Sequence, residues 1–153
     1  MAANDHHQLR AARTADLDAA TLYALLRLRV DVFVVEQRCA YPDLDGRDLE
    51  PGTVHLWLDH GAVPVAYLRV LAEADGSVRI GRVCTARDHR GRGLAERLVR
   101  AAIHRHPGRV CVLDAQSYLV AFYTRLGFAP TGPEYVDSDG IPHVPMKRAT
   151  AGS

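Results

Sequence analysis

Apolar and polar positions along the chain mark out a series of short elements. His7–Ala12 is suited to a short first strand. Asp16-Leu-Asp18 supplies N-capping side chains. Leu22, Leu25, Leu26, Arg29, Val30 and Phe33 follow at helical spacing and predict an amphipathic helix of roughly Ala19–Gln37. It gives way to an irregular polar segment, Arg38–Gly52, containing Pro42, Gly46 and Pro51. Val54–Leu58 and Val63–Leu71 are strand-like and joined by a turn at His60-Gly61. Asp75-Gly76 is a hairpin signal that leads into a further strand, Val78–Thr85. Beyond an arginine-rich turn, Leu94, Leu98, Ala101 and Ala102 mark a helix that ends before Pro107-Gly108. Val110–Leu113 reads as a buried strand, and Leu119–Leu126 as a short helix stopped by Gly127. The tail holds a hairpin around Asp137–Gly140 and a strand near His143–Lys147.

The resulting order, β-α-β-β-β-α-β-α-β-β, describes a mixed central β-sheet flanked by helices, an α/β (α+β) domain. Its 153 residues suit one domain over 1–153, with an ordered core of about 7–148 and loose ends at 1–6 and 149–153. Hydrophobic residues at 48% give a real core without staples, and a net charge of +1 creates no basic field for nucleic acid or membrane. Cys39, Cys84 and Cys111 are an odd number without CxxC spacing, which argues against a disulfide framework. The polar start, Met1–Arg10, is no signal peptide, and no apolar run reaches the length of a membrane span. A cytoplasmic location is therefore expected. The eight histidines show no metal spacing such as HExxH, so no metal is expected.

The most informative segment runs from Arg79 to Glu96. A strand ends near Thr85, and a helix is expected from about Gly91 after the turn Arg90-Gly91-Arg92-Gly93-Leu94-Ala95. Glycines let successive N–H groups converge on one point, and a helix start adds unpaired donors and a positive dipole end. That is a nest for an anion such as a pyrophosphate, to which Arg90 and Arg92 can add charge. A P-loop needs GK[ST], which is absent. A dinucleotide fingerprint would need a third glycine where Glu96 stands, although Asp114 is near the spacing of a ribose-binding acid. A ligand-free, arginine-rich helix cap is the bland alternative.

Arg90-x-x-Gly93-x-Ala95 matches the [Q/R]-x-x-G-x-[G/A] signature of the GNAT N-acetyltransferases, and Ala121-Phe122-Tyr123-Thr-Arg-Leu-Gly127-Phe128 resembles their FYxxxGF segment. Arg27–Gln37, Tyr41–Asp48, Asp114-Ala-Gln116 and Asp139-Gly-Ile-Pro-His143 resemble the ElaA-like branch. The resemblance covers most of the chain from about 20 to 147. It implies the GNAT acyl-CoA N-acyltransferase fold, acetyl-CoA as donor and a small-molecule or peptide amine as acceptor. Homodimers are common in that family, though no pattern here requires one. By the same resemblance, Arg90, Gly91, Arg92, Gly93, Leu94 and Ala95 carry the CoA pyrophosphate. Val83, Cys84 and Thr85 pair with the pantetheine arm, and Gln116, Phe122 and Tyr123 lie near it. Tyr123 is the expected acid toward the leaving thiolate. Glu36 and His143 are the favoured bases, with Asp45 and His55 as other candidates, and Arg29, Phe33, Glu36 and His143 are expected on the acceptor side. Cys84 is expected to take no covalent part, transfer being direct.

Asp43-Leu-Asp45-Gly46-Arg-Asp48 invites a calcium reading, but Gly46 comes too early for an EF-hand loop and an acidic loop answering nearby arginines suits it better. With Arg29-x-x-x-Phe33 it also resembles acyl-homoserine-lactone synthases, whose acidic cluster and arginine form an internal charge network. An acyltransferase of that kind and a non-catalytic CoA-binding module are the alternatives to an acetyltransferase.

Overall fold

The computed structural model describes residues 6–150; the expected loose ends at 1–6 and 149–153 fall largely outside them. Strand β1 (His7–Arg13) is followed by helix α1 (Ala19–Val30), whose N-cap is Asp18: its carboxylate accepts the Thr21 N–H at 2.7 Å. The helix does not continue regularly to Gln37 as expected. It widens into a π-helical stretch, Asp31–Glu36, in which the Gln37 N–H reaches back five residues to the Val32 carbonyl. A loop with one 3₁₀ turn at Arg47–Leu49 precedes the meander β2 (Val54–His60), β3 (Val63–Ala72) and β4 (Val78–Thr85). Then come α2 (Leu94–Arg105), β5 (Cys111–Gln116), α3 (Val120–Arg125), the two-residue strands β6 (Ala129–Pro130) and β7 (Tyr135–Val136), and β8 (Pro142–Arg148). The helix expected from about Gly91 starts three residues later, because Gly91 and Gly93 both hold positive φ and keep the chain out of the helix until Leu94. β6 was not expected: a strand of two residues, one a proline, leaves no periodic signal.

The strands form one eight-stranded sheet in the order β1-β2-β3-β4-β5-β8-β6, with β7 on β8. Side chains alternate between its faces. On one face Leu56, Leu58, Ala66 and Leu68 pack with Leu94, Leu98 and Val99 of α2, and with Tyr123 and Phe128. The residues between them, Trp57 and Tyr67, meet Leu25, Leu28 and Val32 across the other face, with Cys84 beside them. The helices therefore cover both faces.

Two irregularities prepare the site. The β3–β4 register slips between Tyr67 and Arg69, and opposite that slip Arg82 takes a positive φ of 54°, a β-bulge. β4 and β5 are parallel but pair only at Val78↔Cys111 and Arg79↔Val112. From there β4 runs on to Thr85 and β5 to Gln116 unpaired with each other, while β5 stays paired with β8 as far as Gln116↔His143. The sheet thus opens at the carboxyl ends of two parallel strands, where open α/β sheets bind ligands.

Candidate active site

The opening is a cleft of about 1230 Å³. Its walls include Val83, Cys84 and Thr85 from β4, and Ala115 and Gln116 from β5. Arg90, Gly91, Gly93, Leu94 and Ala95 lie at the turn; Leu119, Phe122 and Tyr123 line the cleft beside α3. Phe33 and Glu36 reach it from the π-helical stretch, and Asp137, Asp139 and His143 from the last hairpin.

The turn has the backbone a diphosphate nest needs. Gly91 has φ +78° and Gly93 φ +73°, and a Cβ built on either would meet no atom within 4 Å. Their main chain borders open space where α2 begins with the unpaired N–H groups of a helix start. The Arg90 guanidinium is turned elsewhere. It donates to both oxygens of Glu36 at 2.5 and 2.6 Å and to the Thr85 carbonyl at 3.1 Å. It therefore straps the turn to the π-helical stretch. Arg92, expected with the cofactor, does not line the cleft.

Tyr123 is held by the end of α3. Gly127 at φ +94° lets the Phe128 N–H return to the Tyr123 carbonyl at 3.1 Å, a closed helix terminus. The ring packs edge-on to Phe122 and Phe128 and is only 5% exposed. Its hydroxyl makes no hydrogen bond among the described residues. Burial, with a lesser push from Tyr118, raises its pKa well above the ordinary phenol value, so it stays protonated. Burial likewise raises the Cys84 thiol, which packs with Leu28 and Tyr67 and remains a poor nucleophile.

The candidate bases separate. The hydrogen bonds from Arg90 hold the Glu36 carboxyl below its usual range and occupy both oxygens, so it is a weak proton acceptor. Asp45 also has a lowered pKa, its charge held by hydrogen bonds from Arg69 against the opposing effect of burial. His55 is fully buried between Thr14 and Tyr67 and does not reach the cleft. His143 is 7% exposed and lines the cleft. Its Nδ1 lies 2.7 Å from the Ile141 carbonyl, which can only accept, so Nδ1 is the donor and, in the neutral ring, Nε2 is the acceptor.

Arg29 was expected on the acceptor side; the structure corrects this. It is 0% exposed, donating to the Asp43 carboxylate at 3.1 Å, the Asp43 carbonyl at 2.9 Å and Asp48 at 2.7 Å. Arg69 joins through Asp45 and Asp48, and Arg82 through Asp43 and Asp45. The acidic loop does answer nearby arginines, and it clamps the bulged residue Arg82. Tyr41, Tyr118 and Asp139 also line the cleft and were not singled out as site residues. Asp139 lay inside the ElaA-like segment Asp139–His143, the one signal that pointed to it.

The family profile described as an acetyltransferase (GNAT) domain matches residues 29–150. The chain belongs to the GNAT family. Within it, the UPF0039 protein Rv2851c of Mycobacterium tuberculosis is 51% identical over 149 residues, covering 94% of each chain. ElaA of Escherichia coli is 39% identical over 140 residues, 88% of this chain and 91% of that one. Its crystal structure has a TM-score of 0.86 to this fold at 36% identity, over 93% of this chain and 99% of that one. An acyl-CoA N-acyltransferase from Pseudomonas aeruginosa has a TM-score of 0.88 at 40% identity, over 94% and 99%. This is an ElaA-like GNAT protein with the acyl-CoA N-acyltransferase fold, and acyl transfer is the chemistry of that family. The fold implies an acyl-CoA, and the residues present fit one: the glycine turn offers open main chain to a diphosphate, and the unpaired β4 edge and Tyr123 line the same cleft. Among the described residues no group of three His, Cys, Asp or Glu side chains is placed to hold a metal, and no helix is long and apolar enough to cross a membrane.

Proposed function

We propose that this GNAT protein transfers an acetyl group from acetyl-CoA directly to an amine. The observation that carries the reading is the pairing, in one cleft, of a buried tyrosine hydroxyl and a histidine Nε2, neither of which has a hydrogen-bond partner among the described residues. Main-chain amides of Gly91–Ala95 would hold the diphosphate, and the β4 edge at Val83–Thr85 the pantetheine arm. Bound there, acetyl-CoA supplies an activated thioester carbon.

The protein's own groups do the rest. His143 Nε2 takes the proton that the attacking amine must shed. N–H groups of the unpaired β4 edge are donors for a carbonyl oxygen that gains charge. The Tyr123 hydroxyl is the proton donor to the departing thiolate; burial keeps it protonated and makes it a weaker acid than a free phenol until charge develops beside it. Cys84, buried and protonated, takes no covalent part, which leaves a direct transfer.

Thiol release followed with acetyl-CoA and a panel of alkyl amines tests this. The expected result is CoA release that depends on the amine and yields the acetylated amine. Tight acetyl-CoA binding with no amine accelerating release would overturn it. The same assay with longer acyl-CoA donors is expected to favour acetyl.

A further inference from the structure

The carboxylates that line the cleft are not equivalent. Glu36, Asp45, Glu96 and Asp114 are each paired with an arginine: Arg90, Arg69, Arg100 and Arg79. Asp137 and Asp139, on the last hairpin, have no arginine or lysine partner among the described residues. Asp137 is exposed and accepts the Ser138 N–H. Asp139 is different: its side chain is 12% exposed, and it faces the imidazole of His143.

The geometry between these two side chains is specific. Asp139 Oδ1 accepts the Ile141 N–H at 2.8 Å, which fixes the carboxylate. The Asp139 carbonyl accepts from the Cys39 thiol at 3.1 Å, which ties the hairpin to the segment following the π-helical stretch. His143 is fixed through Nδ1 and stacks on Tyr135. The remaining atoms, Asp139 Oδ2 and His143 Nε2, stand 3.8 Å apart, too far for a hydrogen bond to each other. Among the described residues Nε2 has no hydrogen-bond partner; the residue is more than nine-tenths buried, but Nε2 is not one of the polar atoms sealed from solvent. A nitrogen about 2.8 Å from both atoms fits that gap. It would donate one N–H to the carboxylate and one to the imidazole lone pair.

We propose that Asp139 and His143 form a two-pronged seat for the acceptor's ammonium group, so that the acceptors are alkyl amines that arrive as cations. This rests on the amine-acetyltransferase reading above. An alkyl amine has a pKa of about 10 and is cationic at neutral pH. Asp139 binds that cation, and His143 Nε2 takes one of its protons and leaves the neutral nucleophile in place. The N–H bond breaks, its electron pair stays on the amine nitrogen, and this first proton resides on Nε2; the second, shed as the C–N bond forms, replaces the one that Tyr123 gives to the thiolate. The uncharged His143 can accept this proton only in the tautomer that the Ile141 carbonyl enforces.

The test titrates n-butylamine into the full chain at pH 7 while following the ring signals of His143 by NMR. Aniline, which is neutral at that pH, is the control. A saturable shift with butylamine and none with aniline is expected. Asp139→Asn keeps an oxygen for the Ile141 N–H but loses the charge, and is expected to weaken butylamine about tenfold or more with no change in acetyl-CoA affinity. Equal butylamine affinity in Asp139→Asn, or a His143 signal that never moves, would overturn the seat. Thiol release run in parallel keeps the two readings apart. A seat that depends on Asp139 without acetylation leaves the seat standing and removes the transfer reading. Acetylation with an unaltered KM in Asp139→Asn does the opposite.

Discussion

At the residue scale, burial decides what each polar group can do. Tyr123 and His143 are both more than nine-tenths buried, yet each presents one unpaired atom in the cleft. Tyr123→Phe removes a hydroxyl that nothing in the fold uses. Acetyl-CoA affinity by calorimetry is therefore expected to stay the same while kcat falls by about 10²–10⁴; an unchanged kcat would remove the acid. His55 shows the other outcome of burial. The Thr14 hydroxyl donates to the Asp48 carbonyl, so it accepts from His55 Nε2, and Nδ1 is left to accept from the Tyr67 hydroxyl at 2.6 Å. Burial pushes the His55 pKa down from 6.5 to about 4. Between those values the unfolded chain binds a proton that the folded chain refuses, so stability present above pH 6.5 is lost as pH falls toward 4. Urea midpoints across that range are expected to drop in the wild type and to drop less in His55→Gln. Residue type made both histidines candidate bases, and the ElaA-like segment favoured His143; their surroundings tell them apart. Arg29 was legible as a helical position and, through the likeness to acyl-homoserine-lactone synthases, as a partner of the acidic loop; that the pairing seals it away from the acceptor side was not, because Asp43 and Asp48 lie 14 and 19 residues away along the chain.

At the element scale, the regular pieces were readable and the irregular ones were not. The strand-like apolar runs of β2 and β3 and the apolar spacing of α2 gave strands and a helix close to those observed. The π-helical stretch carries the same apolar spacing as an α-helix, so nothing in Asp31–Glu36 announced that Glu36 would face Arg90. The bulge at Arg82 was equally silent, being a non-glycine residue with positive φ that is held from outside by Asp43 and Asp45. The glycine turn was the reverse case, since glycine is the residue that tolerates such a backbone. Gly93→Ala places a Cβ at φ +73°, where an L-residue costs about 1–2 kcal/mol, in the open space beside the turn. Calorimetry is expected to show acetyl-CoA affinity reduced by about tenfold or more, about 1.4 kcal/mol. The acidic loop carries a different prediction. Arg29→Ala removes the fully buried cation shared by Asp43 and Asp48, leaving them to Arg82 and Arg69 alone, and is expected to cost about 3–5 kcal/mol in urea unfolding. A loss under about 1 kcal/mol, as for an exposed pair, would contradict its structural role.

At the scale of the whole molecule, the parting of β4 and β5 converts a mixed sheet into a ligand-binding fold. Two paired positions hold the strands together at one end, and beyond them one strand edge is left open toward the turn that starts α2. The hairpin before β8 and the π-helical stretch then close in on the other side, where the acceptor is proposed to sit. The sequence order of elements pointed to this fold; the depth of the parting is a matter of strand register, which spacing alone does not specify. The most direct test is a crystal structure of the protein with CoA. The expected result is diphosphate oxygens within about 3 Å of main-chain amides between Arg90 and Ala95, with the sulfur beside the Tyr123 hydroxyl. CoA bound outside the β4–β5 cleft, with those amides facing water, would contradict the account.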